Sequence, residues 1–320
     1  GHDASGAWPG LHGGAEDFLF ACPNNQGFLR GAIASLDALV DLVKPDGVML
    51  DRIRYPSPAN GLESLFSCFC PACQALFTAE TGLPLSRARE DVRELLGSLS
   101  RMDGGDLEAL RGRSVFPWVT DALAALARFR ADSVLRATRR LSTRARERGL
   151  AVGLDLFSPS LAGLVGQDYA ALAGICDWIK PMTYCRAVGP AGLSLELASL
   201  RAGLAALAPR ADGTSVARLL SERFGWDIPD SPQALLRDGL PARVITTELE
   251  SIRALGLPAR VAVYAGIEAV SNPAFGIDIR PDDLEAALSM SAGLCQGVVA
   301  SWNLLSIPRE SLRRIGALRT

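Results

Sequence analysis

The chain alternates between short, solid apolar runs and longer stretches in which apolar residues recur every three or four positions. The runs are DFLFAC (Asp17–Cys22), GVMLDRI (Gly47–Ile53), AVGLDLF (Ala151–Phe157), WIKPM (Trp178–Met182), RVAVYA (Arg260–Ala265) and GVVASW (Gly297–Trp302). They are rich in β-branched and large apolar residues and show little in–out alternation. That pattern predicts strands covered on both faces, as parallel strands are. Leu29–Val43, Pro117–Arg148, residues 242–256 and residues 281–293 carry helical periodicity between them. The last has proline in its first turn, acids near its start and glycine at its end, matching the polarity of a helix. Strands alternating with amphipathic helices predict βα units around a parallel sheet.

Six strands are expected, and a closed (β/α)8 TIM barrel has eight. The expectation is therefore a barrel whose visible strands are the third to the eighth, with the first two upstream of residue 1. An open, doubly wound sheet is the alternative; it would more often show a glycine-rich phosphate loop after an early strand, and neither G-x-G-x-x-G nor a Walker A pattern occurs. Two connections are long, residues 57–116 and 185–259. With no low-complexity linker and no repeat, the expectation is one domain over residues 1–320, with a helical, cysteine-containing insertion at 57–116.

Composition narrows the partners. Of 320 residues, 48% are hydrophobic and 21% charged, the balance of a soluble globular protein, and the net charge of −2 makes neither nucleic acid nor an anionic membrane surface an obvious partner. The arginine run Arg136–Arg148 reads as the wet face of a helix. No apolar stretch approaches the roughly 20 residues of a bilayer span. The opening GHDASGAWPGLHGG has no basic start and no apolar run, so it reads as a loop with no visible signal peptide. The oligomeric state has no signature.

Parallel α/β folds build their sites at the carboxyl ends of the strands. Nearly every expected strand here ends in a group that ionises or hydrogen-bonds: Asn24 after FLFAC, Asp51 and Arg54 after GVML, Asp155 after AVGL, Lys180 and Tyr184 in WIKPMTY, Glu268 after VAVYAGI, and Trp302 and Asn303 after GVVAS. An acid inside a strand is costly to bury unless paired. Structural roles compete: Asp51 can pair with Arg52 or Arg54, Lys180 can be a counter-ion, and Trp302 can pack in the core. Across a barrel mouth, Asp51 on strand four and Glu268 on strand seven can flank a scissile glycosidic bond as a carboxyl pair, with Asp51 and Asp155 as the competing pair. Trp302 offers a platform for a sugar face. Other chemistries fit less well. The two histidines, His2 and His12, lie near the terminus, and neither HExxH nor G-x-S-x-G occurs.

Seven cysteines exclude complete internal pairing into disulfides. Cys68, Cys70 and Cys73 form CFCPAC, three soft ligands on a short turn; structural zinc, free thiols and a disulfide remain open readings. Cys22 or Cys185 is the alternative source of a fourth ligand.

The residues carry a family resemblance. DGVMLDRIRYP (46–56) resembles the "G-hydrophobic-D-x-I-R-[FY]-P" strand of a broad group of sequence-defined glycoside hydrolases with TIM-barrel folds. VGLDLFSPSLAGLVGQDYAALAGICDWIKPMTY is similar to the same group in its D-x-F strand end, its G-Q-D and its P-M-x-Y strand, and VAVYAGIEA and GVVASWNLL resemble the last two strands in style. The likeness spans most of residues 17–305. Separately, CFCPACQALF resembles cysteine clusters of barrel β-galactosidase-like enzymes, which implies zinc. The resemblance implies a glycosidase acting on an oligo- or polysaccharide and needing no cofactor for its chemistry. Asp51 and Arg54 match the signature strand and Tyr184 the P-M-x-Y strand; Glu268 matches by position. The catalytic candidates are thus Asp51, Glu268 and Asp155, with Arg54, Lys180, Tyr184, Trp302, Asn303 and Asn24 toward the sugar. A non-catalytic carbohydrate-binding barrel, or a sugar-active lyase or isomerase, is the alternative.

Overall fold

The computed structural model describes residues 10–11, 18–111, 119–189, 191–229, 231–272, 277–301 and 303–317. Its centre is a five-stranded, all-parallel sheet of β1 (Gly47–Leu50), β2 (Ala151–Phe157), β3 (Trp178–Met182), β4 (Ala262–Glu268) and β5 (Gly297–Ser301), which neighbour one another in chain order. A doubly wound sheet reverses its strand order at a switch point. None occurs among the described residues, and the sheet curls in one direction like part of a barrel wall.

The longer helices are α1 (Gln26–Val43), α2 (Pro71–Thr81), α3 (Leu85–Leu99), α4 (Asp121–Glu147), α5 (Leu193–Leu207), α6 (Gly213–Phe224), α7 (Arg243–Ala254) and α8 (Pro281–Ser291). Their starts follow local chemistry: Asn25 accepts the Phe28 N–H to cap α1, and Thr120 accepts the Leu123 N–H to cap α4.

Period-two alternation sorts the strand residues onto two faces. Val152, Leu154, Leu156, Ile179, Ala265 and Ile267 share one core with Leu36 and Val40 of α1, Val244, Ile245 and Ile252 of α7, and Leu284 and Leu288 of α8. The other face carries Met49, Asp51, Gly153, Asp155, Phe157, Trp178, Lys180, Tyr264, Gly266, Glu268 and Ser301. Two glycines shape it. A Cβ on Gly153 would lie 2.1 Å from the Trp178 ring, and one on Gly266 would lie 2.7 Å from the Pro181 carbonyl and 2.9 Å from Lys180 Cε. Gly153 thus admits the indole, and Gly266 admits the lysine stem.

The expected DFLFAC strand is corrected. Of its described residues, only Phe18–Leu19 is extended as a strand, and it pairs antiparallel with Gly10–Leu11 rather than joining the parallel sheet. The residues that follow are committed elsewhere: Phe20 packs its ring on Arg54, and Cys22 turns toward the other thiols. The described part of the 57–116 stretch is largely helical, including α2, α3 and the short helices Leu62–Leu65 and Gly104–Glu108. It packs with α4 around a second core of Phe77, Leu85, Val92, Leu126 and Phe129, where the Phe77 and Phe129 rings meet edge to face at 5.3 Å.

Candidate active site at the carboxyl ends of the strands

The register brings the strand-end polar residues together. Leu50 pairs with Leu154, so Asp51 and Asp155 follow on adjacent strands; Asp155 pairs with Lys180, and Glu268 with Ser301. Tyr184, two residues past β3, shares a 2.5 Å hydrogen bond with Ser301 Oγ, and the Lys180 ammonium lies 5.5 Å from its ring centroid. Trp178 and Tyr264 form an edge-to-face layer beneath, with centroids 6.1 Å apart.

Asp155 is buried at 5% exposure. Its Oδ2 accepts from Lys180 Nζ at 2.7 Å, while Oδ1 has no hydrogen-bond partner. Burial pushes its carboxyl up to about 6, against the pull of Lys180 and helped by the negative charge of Asp51. Burial alone would lower the Lys180 ammonium, but Tyr184 and Asp155 outweigh it and raise the lysine above its ordinary value. Lys180 is therefore a cation at neutral pH rather than a nucleophilic amine. Burial also raises Tyr184 to about 12, so it acts as a neutral phenol.

Asp51 differs, with its side chain 47% exposed. Its Oδ1 accepts the Arg52 N–H at 2.6 Å, which steadies a turn whose next residue has left-handed backbone, φ 58° at Arg52. That conformation is uncommon for a residue with a side chain and is concentrated at functional sites.

Glu268 lies inside the end of β4, since that strand runs three residues beyond the expected end. It is buried, and its Oε1 accepts the backbone N–H groups of Arg186 and Ala187 at 2.8 and 2.5 Å. Burial raises it to about 7, against those two hydrogen bonds.

The remaining predicted residues are dispersed. Arg54 is buried between the rings of Phe20 and Phe157, at 5.0 and 4.5 Å, and donates to the Tyr55 carbonyl; burial lowers it to about 10, against the charges of Glu196 and Asp51. Asn24 is not at the sheet edge: its Nδ2 donates to Ser133 Oγ at 2.9 Å and Cys73 Sγ at 3.4 Å. Asn303 is exposed and caps a short 3-10 turn through the Leu305 N–H. Trp302 lies outside the described residues.

Sequence reasoning missed three buried acids: Asp91 of α3, which accepts from Thr120 Oγ1 at 2.5 Å, and two that are met more fully. Glu196 of α5 accepts from Ser57 Oγ, the Ala59 N–H and the Ala191 N–H, and Glu248 of α7 accepts from Ser158 Oγ, the Ser160 N–H and Ser160 Oγ. A signal was present for Glu196 and Glu248: the acid interrupts an apolar helical stripe, Leu193–Leu197–Leu200 or Val244–Ile245–Leu249–Ile252.

A donor set suited to a metal lies apart from these acids. The sulfurs of Cys22, Cys68, Cys70 and Cys73 are all within 4.8 Å of one another.

No known protein family matches the chain, and no curated protein does. Among solved structures, bee venom hyaluronidase in complex with a hyaluronic acid tetramer is similar at 13% identity and a TM-score of 0.37, over 97% of this chain and 82% of that one. At that score the likeness decides nothing about the chemistry. No described helix is long and apolar enough to cross a membrane.

Proposed function

We propose that this chain is a glycoside hydrolase that cleaves an oligo- or polysaccharide through paired carboxyl groups at the carboxyl edge of its sheet. The observation that carries the reading is the split environment of Asp155 and Asp51. Asp155 is buried, holds its proton up to about pH 6 and keeps one oxygen unpartnered, whereas its neighbour Asp51 is half exposed. Two acids on adjacent strands with unlike surroundings suit a proton donor and a nucleophile or base. Asp155 is the donor in this reading and Asp51 the nucleophile or base. Lys180 places positive charge beside the donor, and Tyr184 presents a neutral phenol toward the sugar. Glu268, also raised and near neutral, is the alternative donor; its two backbone hydrogen bonds favour a role in holding the Arg186–Ala187 loop. Arg54, clamped between two rings, sets the turn after Asp51 rather than meeting the sugar.

The fold proposed for this activity is a full (β/α)8 barrel. Among the described residues β1 and β5 each pair along one edge only. Large apolar side chains stand exposed beside both: Phe28, Leu39, Leu42 and Val43 on α1 and Met49 on β1, then Leu304 and Leu305 just past β5. Further βα units would cover both edges and the second apolar face of α1.

A second reading, a non-catalytic carbohydrate-binding barrel, draws on the 2.7 Å Lys180–Asp155 ion pair, which occupies one oxygen of the best donor. Hydrolysis of an aryl-glycoside panel by wild type and by Asp51→Asn, Asp155→Asn and Glu268→Gln separates the two. The expected outcome is a loss of about 100-fold or more in kcat for each aspartate variant. Undiminished activity in Asp51→Asn would sink the assignment. Saccharide binding without turnover by the wild type would favour the second reading.

A further inference from the structure

We propose that Cys22, Cys68, Cys70 and Cys73 form a four-thiolate site for a single tetrahedral zinc ion, which fastens the entry of α1 to the helical stretch after β1. The donor geometry carries this. Cys22 Sγ lies 3.3 Å from Cys73 Sγ and 3.6 Å from Cys70 Sγ, and all four sulfurs fall within 4.8 Å of one another. Zinc–thiolate bonds of about 2.3 Å in a tetrahedron put the sulfurs about 3.8 Å apart. The four cysteines are free thiols. An all-sulfur tetrahedral set selects zinc or iron over the harder divalent ions.

Two of the ligands sit at a helix start. Cys70 is the N-cap residue of α2 and Cys73 lies in its first turn, where the unpaired N–H groups of a helix stabilise negative charge. Cys68 precedes them at C-x-C-x-x-C spacing. Cys22 comes from a separate stretch, just before α1. Around them, Asn24 Nδ2 donates both to Cys73 Sγ and to Ser133 of α4, a hydrogen bond of the kind that orients a metal ligand and offsets its charge. Tyr55 packs in the same core as Cys22, Cys68 and Cys73, with the buried Arg130 guanidinium stacked 4.6 Å over its ring. Cys185, the other source considered for a fourth ligand, lies outside the cluster.

The inference does not depend on the hydrolase reading. With four protein ligands the site is closed, so its role is structural. The ion joins three regions: the segment entering α1, the C-x-C-x-x-C turn and, through Asn24, α4. Phe20, two residues before Cys22, stacks on Arg54. The ion thereby anchors the segment that covers the turn following Asp51. Metal entry displaces the thiol protons, so affinity falls as the pH is lowered.

Elemental analysis and cobalt substitution of the full chain test the proposal. We expect about one zinc per chain, and in the cobalt form the visible bands and thiolate-to-metal charge transfer of a tetrahedral four-sulfur site. Cys22→Ser should weaken cobalt binding by at least ~100-fold and lower the charge-transfer intensity by about a quarter, while Cys295→Ser, outside the cluster, leaves both unchanged. Unaltered cobalt binding in Cys22→Ser would remove Cys22 from the ligand set and overturn the site as stated. So would a wild-type chain that takes up no metal with all thiols reactive, or one whose cluster is oxidised to disulfides. Stoichiometric iron in place of zinc would overturn the choice of ion. If Cys22→Ser does not fold, the wild-type charge-transfer intensity decides: four thiolates support the proposal and three overturn it.

Discussion

Two acids on the helices, Glu196 and Glu248, and two on the strands, Asp155 and Glu268, are buried alike but served differently. Glu196 and Glu248 are each met by three hydrogen-bond donors from neighbouring loops. Glu268 is met by two, and Asp155 by Lys180 alone, with its second oxygen unpartnered. A buried carboxylate surrounded by loop N–H and O–H groups ties loops to the scaffold. One left partly unserved costs the fold free energy, and such costs concentrate where a side chain has work to do. Burial therefore does not separate these four acids; the completeness of their hydrogen bonding does.

The most severe way to break that contrast is to remove a saturated acid. Glu248→Ala would orphan one buried donor, the Ser158 hydroxyl, and two partly buried ones from Ser160, and an unsatisfied buried donor costs about 1–3 kcal/mol. The expected destabilisation is about 2–4 kcal/mol in urea unfolding, with Glu248→Gln, which retains one acceptor oxygen, losing less. A cost under about 1 kcal/mol for the alanine variant would show that saturation does not mark a structural role.

The next effect runs through pH. Glu268 sits near 7 in the folded chain against an ordinary value of 4.5, and Asp155 near 6 against 3.8, both because burial disfavours the charged form. Between the ordinary and the raised value the folded chain holds a proton that the unfolded chain has released. Stability is therefore greatest below the ordinary value and falls as pH rises through the raised one. For Glu268 the fall is about 3 kcal/mol, spread from about pH 4.5 to 7. Glu268→Gln keeps an acceptor for Arg186 and Ala187 and removes the titration, so its stability should decline less than that of the wild type across this window. Parallel pH profiles of the two proteins would show that Glu268 is served as fully as the helical acids.

The centre of the parallel sheet was legible because β2 and β3 are covered on both faces. Ala151–Phe157 and Trp178–Met182 begin and end where the apolar runs do, and the β4 run was read three residues short because Gly266 and Glu268 dilute it. DFLFAC was misplaced because an apolar run shows that a segment is buried, not what it pairs with; here Phe20 and Cys22 are drawn to Arg54 and the thiols. The strand-end rule placed Asp51, Asp155, Lys180, Tyr184 and Glu268 at one edge of the sheet, as the register does, since it rests on the fold itself. It placed Asn24 wrongly for the same reason that it misplaced the strand before it. Cys22 could not be chosen over Cys185 from the sequence, because ligands so far apart in the chain meet only through the fold.

The smallest effect on stability separates the two kinds of acid most sharply. Asp51 is half exposed, and its one short hydrogen bond, from the Arg52 N–H, survives replacement by asparagine. Asp51→Asn should therefore change stability by less than about 0.5 kcal/mol, as surface substitutions away from buried networks do. It should also relieve its neighbour. The charge of Asp51 helps to raise Asp155, so the variant's Asp155 should titrate below the wild-type value of about 6, as read by carbon NMR of the side-chain carboxyls. A downward shift with stability unchanged places Asp51 and Asp155 in one electrostatic unit that the fold does not need. An unshifted Asp155, or a destabilisation above about 1 kcal/mol, would place Asp51 among the loop-holding acids and leave Asp155 without its partner.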